Sequence, residues 1–111
     1  MEGRRQEKIG NVLKQDLATL FQREAKTMFG GAFITVTSVT VTSDLSYAKV
    51  HLSIFGNNSQ ESLKLIQSQT REIRHIIAKK VRHQMRKVPS FQFFLDDSLD
   101  YYEEIDKLLK E

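Results

Sequence analysis

The sequence predicts a single α+β domain, with helices on one face of a three-stranded sheet, in the order α-β-β-α-α-β followed by a short C-terminal helix. Apolar residues recur every three or four positions in residues 9–28 and again in 63–88, a spacing typical of helices. They alternate with polar residues in three shorter stretches, which is typical of strands. The length of 111 residues fits one domain with one modest core, so we expect residues 1–111 to fold as a unit.

The N-terminal half predicts a helix and then a β-hairpin. The helix ends at Gly30-Gly31, since glycine accepts the left-handed conformation found at helix C-termini. In the first strand, "AFITVTSVTVTS", the alternation changes phase near Thr37-Ser38, which indicates a bulge. A turn at residues 44–46 leads into a regularly alternating second strand. The apolar positions of the helix are Ile9, Val12, Leu13, Leu17, Leu20, Phe21, Ala25 and Met28, and those of the second strand are Ala48, Val50, Leu52 and Ile54.

The C-terminal half predicts two helices, a third strand and a last helix. Ser59 is the predicted cap of the first of these helices. The second is expected to stop at Pro89, because proline has no amide hydrogen to donate. Ser98 is the predicted cap of the last helix. The apolar positions are Ile73, Ile77, Val81, Met85 and Val88 in the long helix, Phe91, Phe93 and Leu95 in the strand, and Leu99, Ile105, Leu108 and Leu109 in the last helix.

The junction of the two middle helices contains neither glycine nor proline. Residues 68–71 read Ser-Gln-Thr-Arg, so local propensity favours one helix from Ser59 to Val88. Such a helix would span roughly 45 Å, longer than the ~26 Å diameter of a compact domain of this size. We therefore predict a bend or break near Gln69-Thr70, with Arg71 at the start of the second helix.

Positive charge is concentrated in residues 71–88, which hold seven basic residues against Glu72, whereas residues 96–111 carry a net charge of −5. At helical spacing, five basic positions form one row: Arg71, His75, Lys79, Arg82 and Arg86. Like charges four residues apart destabilise a helix, so a polyanionic partner is expected to offset the repulsion. RNA is favoured over a membrane surface, because the core needs the apolar side of this helix. An acidic partner protein is the alternative.

Other functional classes find little support. The chain has no cysteine, and His51, His75 and His83 stand in no metal-binding motif. Asp96 and Asp97 are adjacent on a strand and would point to opposite faces, so a turn and helix-cap role is expected for them. We predict no enzyme activity, no cofactor, no metal site and no small-molecule substrate. No apolar run approaches the ~20 residues of a membrane span, so we expect a cytoplasmic protein without membrane association.

Two stretches resemble a known family. "VTSDLSYAKVHLS" (41–53) and "RKVPSFQFFLDDS" (86–98) are similar to two signatures of the bacterial ribosome-binding factor A family, and the spacing of Arg5, Ile9, Leu13 and Leu17 fits as well. The resemblance implies a type II KH domain that binds small-subunit ribosomal RNA and assists late maturation of the subunit and processing of its rRNA precursor. The Ala-x-Gly kink of the family is replaced here by residues 68–71.

We therefore predict a monomer whose partner is the small ribosomal subunit with its rRNA. Sparse aromatic residues on the basic face favour recognition of backbone and shape over base stacking. The predicted RNA-binding residues are Arg5, Arg71, Arg74, His75, Lys79, Arg82, Arg86 and Lys87.

Overall fold

The computed structural model describes residues 2–56 and 58–96, with side chains from residue 5 onward. The predicted α+β order is confirmed within these ranges. The elements are α1 (Glu2–Arg23), α2 (Ala25–Met28), β1 (Phe33–Val41), β2 (Tyr47–Phe55), α3 (Ser59–Ser68), α4 (Thr70–Val81) and β3 (Ser90–Leu95).

The three strands form one sheet in the order β1-β2-β3. The hairpin strands β1 and β2 are antiparallel, whereas β3 runs parallel to β2 after the crossover through α3 and α4. The helices pack on one face of this sheet, where the alternating apolar residues of the strands are buried. The core consists of Leu13, Leu17, Leu20, Phe21, Phe29, Ile34, Val36, Val41, Ala48, Val50, Leu52, Ile66, Ile73, Ile77, Val81, Val88, Phe91 and Phe93.

The phase change in β1 is a bulge, as predicted. Val36 pairs with Leu52 and Ser38 with His51, which leaves Thr37 as the extra residue. The Thr37 hydroxyl donates to the His51 carbonyl at 3.1 Å, so the bulge remains tied to β2. The extra residue returns the valines of the second half of β1 to the inner face.

The first helix is shorter than predicted. The expectation of one helix through Met28 is wrong, because α1 ends at Arg23 and Glu24 separates it from the single turn of α2. This interruption lets Phe29 turn into the core, where its ring centroid lies 5.0 Å from that of Phe21. The chain then leaves the helix through Gly30 and Gly31, both with positive φ.

The predicted break at the helix junction is confirmed, and polar side chains make it possible without glycine. Gln69 separates α3 from α4 with φ −106° and ψ 14°, a conformation open to any residue. Two carbonyls near the end of α3 accept hydrogen bonds from nearby side chains. The Ser68 hydroxyl donates to the Leu65 carbonyl, and the Thr70 hydroxyl donates to the Gln67 carbonyl. The Gln69 side chain donates to the Met28 carbonyl at 2.6 Å. Arg71 is the second residue of α4, as expected.

The predicted cap of α3 is wrong by one residue. Asn58 occupies the N-cap position without a side-chain hydrogen bond, and Ser59 is the first helical residue. The carbonyl of Asn58 accepts the amide of Ser62 at 2.9 Å, which fixes where the helical hydrogen bonds begin.

The end of α4 differs most from the prediction. The helix ends at Val81 rather than continuing to Val88. The Arg74 guanidinium donates to the carbonyl of Val88 at 2.8 Å, although a continuous helix would place these residues about 21 Å apart. The chain must fold back because Ser90, the first residue of β3, donates its amide to the Ser46 carbonyl.

The predicted last helix, with its Ser98 cap, lies outside the described residues, as does Asp97. Asp96 follows the end of β3, and its amide donates to the Leu52 carbonyl at 2.8 Å.

Candidate nucleic-acid interface

The early end of α4 divides the predicted row of basic residues. Arg71, His75 and Lys79 share one exposed side of the helix, and we call these three the α4 row. Arg82 and Arg86 lie beyond the last helical residue, so the single continuous row predicted from the sequence is wrong. The sequence did not reveal this division, because the turn after Val81 keeps the apolar spacing of a helix.

A second basic group forms where the N-terminal half of α1 faces the segment after α4. A groove of about 600 Å³ lies between them, with Ile9, Val12, Leu45 and Met85 as its apolar lining. Its basic residues are Arg5, Lys8, Arg86 and Lys87, and Gln84 completes the lining. We call this site the basic groove. It joins three predicted residues from opposite ends of the chain.

Lys8 and Gln84 were missed by the sequence analysis. Lys8 lies three residues after Arg5 on α1, which places both on one side of that helix, so helical spacing contained the signal for Lys8. Gln84 carries no such signal, because its position depends on the turn after α4. In that turn the backbone amide of Gln84 donates to the Val81 carbonyl.

Arg74 contacts the protein's own backbone. Besides Val88, its Nε donates to the Pro89 carbonyl at 3.3 Å. These two bonds hold the chain immediately after Arg86 and Lys87 against α4. In this structure Arg74 therefore positions one side of the basic groove.

Arg82 belongs to neither basic group. It follows the last residue of α4, and its Nε donates to the Nε2 of His83 at 3.4 Å. The side chain is exposed, but it does not line the basic groove.

The hairpin turn supplies the apolar residue at the sheet end of the groove. Asp44 accepts hydrogen bonds from the hydroxyl and the amide of Ser46 and from the hydroxyl of Thr42. These bonds lower the pKa of Asp44 to about 2, and the bond from the Ser46 hydroxyl contributes most. The ordered turn holds Leu45 in a left-handed conformation, with φ 61°, where it lines the groove.

The basic groove is chemically suited to a polyanion. Among the described residues that line it, four are basic and none is acidic. Several cations at the rim of an apolar cleft concentrate positive potential there and attract phosphate groups.

Other ligand classes have less support in the described residues. No three His, Cys, Asp or Glu side chains lie together in residues 2–56 and 58–96 as a metal ion would need. In the same part of the chain, no helix has both the length and the apolar character needed to cross a membrane.

Comparisons with known proteins agree with the sequence signatures. The family model described as "Ribosome-binding factor A" matches residues 5–109. The ribosome-binding factor A of Flavobacterium johnsoniae is 48% identical over 98% of this chain and 85% of its own length.

Solved structures show the same fold. The crystal structure of ribosome-binding factor A from Thermus thermophilus matches with a TM-score of 0.69 at 22% identity, over 81% of this chain and 94% of that one. A homology model of the Thermus thermophilus protein, fitted into a cryo-EM map of its complex with 30S, also matches. Its TM-score is 0.52 at 20% identity, and the match covers 73% of this chain and 96% of that one. These matches agree with the predicted KH-like architecture. By its sequence and its fold, this chain belongs to the ribosome-binding factor A family.

Proposed function

We propose that this protein is a cytoplasmic assembly factor that binds rRNA of the small ribosomal subunit and assists late maturation of that subunit, including processing of its rRNA precursor. The observation that carries the proposal is the basic groove, in which two segments distant in sequence present four cations and, among the described lining residues, no acid. Family membership supports the choice of RNA, since a homologous protein has been fitted into a 30S complex.

The proposed role is one of binding. The cations of the basic groove neutralise backbone phosphates, while the α4 row offers further cations on the second helix of the junction. Each neutralised phosphate releases counterions, so affinity should fall with salt at a log-log slope of about 0.7 to 0.9 per phosphate. A factor that covers rRNA in this way can hold a conformation until later assembly steps replace it.

Charge reversal in the basic groove tests the proposal. We expect the double variant Arg86→Glu/Lys87→Glu to lose co-sedimentation with small ribosomal subunits at physiological salt. The matched control is Lys26→Glu/Lys64→Glu, which changes the net charge equally at two exposed positions on α2 and α3 and should bind as the wild type does. Normal co-sedimentation of the groove variant would contradict the proposal.

The α4 row is tested in the same assay with Arg71→Glu/Lys79→Glu. We expect a weaker loss than in the groove variant, because the row is an exposed surface without an enclosing wall.

A competition experiment distinguishes an RNA partner from an acidic partner protein. Added small-subunit rRNA should displace the protein from the subunits, whereas indifference to rRNA would indicate a protein contact.

A further inference from the structure

The face of the sheet that the helices leave uncovered carries aromatic side chains. His51 and Phe94 occupy paired positions of β2 and β3. Their rings stack with centroids 5.5 Å apart and an angle of 28° between the planes. The Ser38 hydroxyl lies 3.3 Å from the His51 Nδ1, which helps to fix the imidazole ring. Phe94 nevertheless remains 41% exposed, so the pair has an open side.

Further aromatic residues continue along the same outer face. Tyr47 and Phe55 lie four residues before and after His51 on β2, about 13 Å away in each direction at the rise of a strand. Phe55 is paired with Phe33 of β1, and both rings are more than half exposed. Polar rows separate these aromatic positions, namely Thr35 with Ser53, and Thr40 with Lys49 and Gln92.

The strands of this face carry one positive charge. Within the ranges of β1, β2 and β3 there is no acidic residue, and Lys49 lies at the centre of the outer face. Its neighbour Gln92 offers both donors and an acceptor to a planar polar ligand. Aromatic rings beside a cation and an amide are suited to the face of a base, a phosphate and the hydrogen-bonding edge of the base.

We propose that the outer face of the sheet is a second RNA site, for single-stranded RNA, in which an unpaired base stacks on the exposed side of Phe94 and Lys49 contacts an adjacent phosphate. The inference rests on the proposed RNA-binding function and adds a substrate class that the basic groove does not imply. A protein partner fits less well, because the core of a stable protein interface is contiguous and apolar, whereas polar rows interrupt the aromatic residues here.

Two substitutions of Phe94 distinguish stacking from simple apolar contact. Phe94→Leu keeps an apolar side chain but removes the ring, whereas Phe94→Tyr keeps the ring. Binding of a short unstructured RNA oligonucleotide is measured by fluorescence anisotropy. We expect Phe94→Leu to weaken binding about fivefold or more, as the loss of one stacked base predicts, and Phe94→Tyr to bind as the wild type does. Leu65→Ala, which truncates another exposed apolar side chain on α3, should have no effect.

The outcomes separate this inference from the proposed function. An RNA hairpin, titrated against the same variants, should lose affinity with Arg86→Glu/Lys87→Glu and keep it with Phe94→Leu. Oligonucleotide binding should also depend less steeply on salt than hairpin binding, since one lysine rather than several cations contacts phosphate. Equal oligonucleotide affinity of Phe94→Leu and the wild type would overturn the second site while leaving the groove proposal intact. The second site would also be overturned if the wild type sedimented as a dimer and Phe94→Leu as a monomer, because the outer face would then bind a second copy of the chain.

Discussion

The α4 row and the basic groove are both cationic, but they arise in different ways. The three residues of the row share one helix, and their common side follows from helical spacing alone. The groove takes Arg5 and Lys8 from the start of the chain and Arg86 and Lys87 from beyond α4, and it exists because the chain folds back after Val81. Charge periodicity therefore reveals surfaces within one element, whereas concave sites depend on contacts between elements.

A substitution in the hydrophobic core tests whether the α4 row and the basic groove depend on the same core packing, and it should have the greatest effect. Phe93 is buried at the centre of β3, where its ring meets those of Phe21 and Phe91. We expect Phe93→Ala to cost about 3–5 kcal/mol in the free energy of unfolding, measured by urea denaturation. That is a large share of the stability of a small domain, so both basic regions should be lost together. A variant with wild-type stability would show that Phe93 does not support the core.

A smaller effect should separate the two regions. Arg74→Met keeps the length of the side chain but removes the hydrogen bonds to the carbonyls of Val88 and Pro89. We expect a loss of about 1–3 kcal/mol in the free energy of unfolding, because two backbone carbonyls lose their charged donor. RNA affinity should fall as well, through displacement of Arg86 and Lys87 rather than through the α4 row.

The two readouts distinguish positioning from direct contact. If the melting temperature of Arg74→Met is unchanged while RNA affinity falls, Arg74 contacts RNA itself, as the sequence analysis predicted. If both fall together and Arg71→Glu/Lys79→Glu leaves stability intact, the positioning role is supported.

The smallest effect concerns the turn at the end of the groove. Asp44→Ala removes the acceptor of three hydrogen bonds, so we expect a slightly lower melting temperature at neutral pH. The pKa of Asp44 is lowered in the folded protein from 3.8 to about 2. Its stabilising contribution is therefore complete above about pH 4 and is lost as the pH falls through about 2. The difference in melting temperature between variant and wild type should shrink over that window, and a difference independent of pH would refute this account.

Much of the fold was predictable because the signals are local. Alternation of apolar residues identified all three strands and the bulge at Thr37, and chain compactness predicted the break at Gln69. The end of α4 was missed, because Met85 and Val88 follow Val81 at spacings of four and seven and so imitate a continuing helix. The reversal is revealed by contacts between distant residues, such as that of Arg74 with residues 88 and 89, and no local pattern records such a contact.

Three of the four basic residues described in the groove were predicted from the sequence, but the shape of the groove was not. Arg5, Arg86 and Lys87 were each selected, yet nothing in their separate surroundings indicated a common cleft with apolar walls. The outer face of the sheet was overlooked for a related reason. Phe94 adjoins the buried Phe93 in a run of aromatic residues, and its pairing with His51 depends on the register of β2 and β3.

The bulge in β1 also bears on how this protein avoids self-association. β1 is an edge strand of nine residues, rich in Val, Ile and Thr and without charge, a composition prone to pairing with the edges of other molecules. An uninterrupted edge of that kind is a template for aggregation. The extra residue at Thr37 breaks the regular repeat of backbone groups along this edge and increases the local twist, so a second flat strand finds no continuous partner. We therefore expect the residue that returns the valines to the core to disfavour pairing between the edges of two molecules as well.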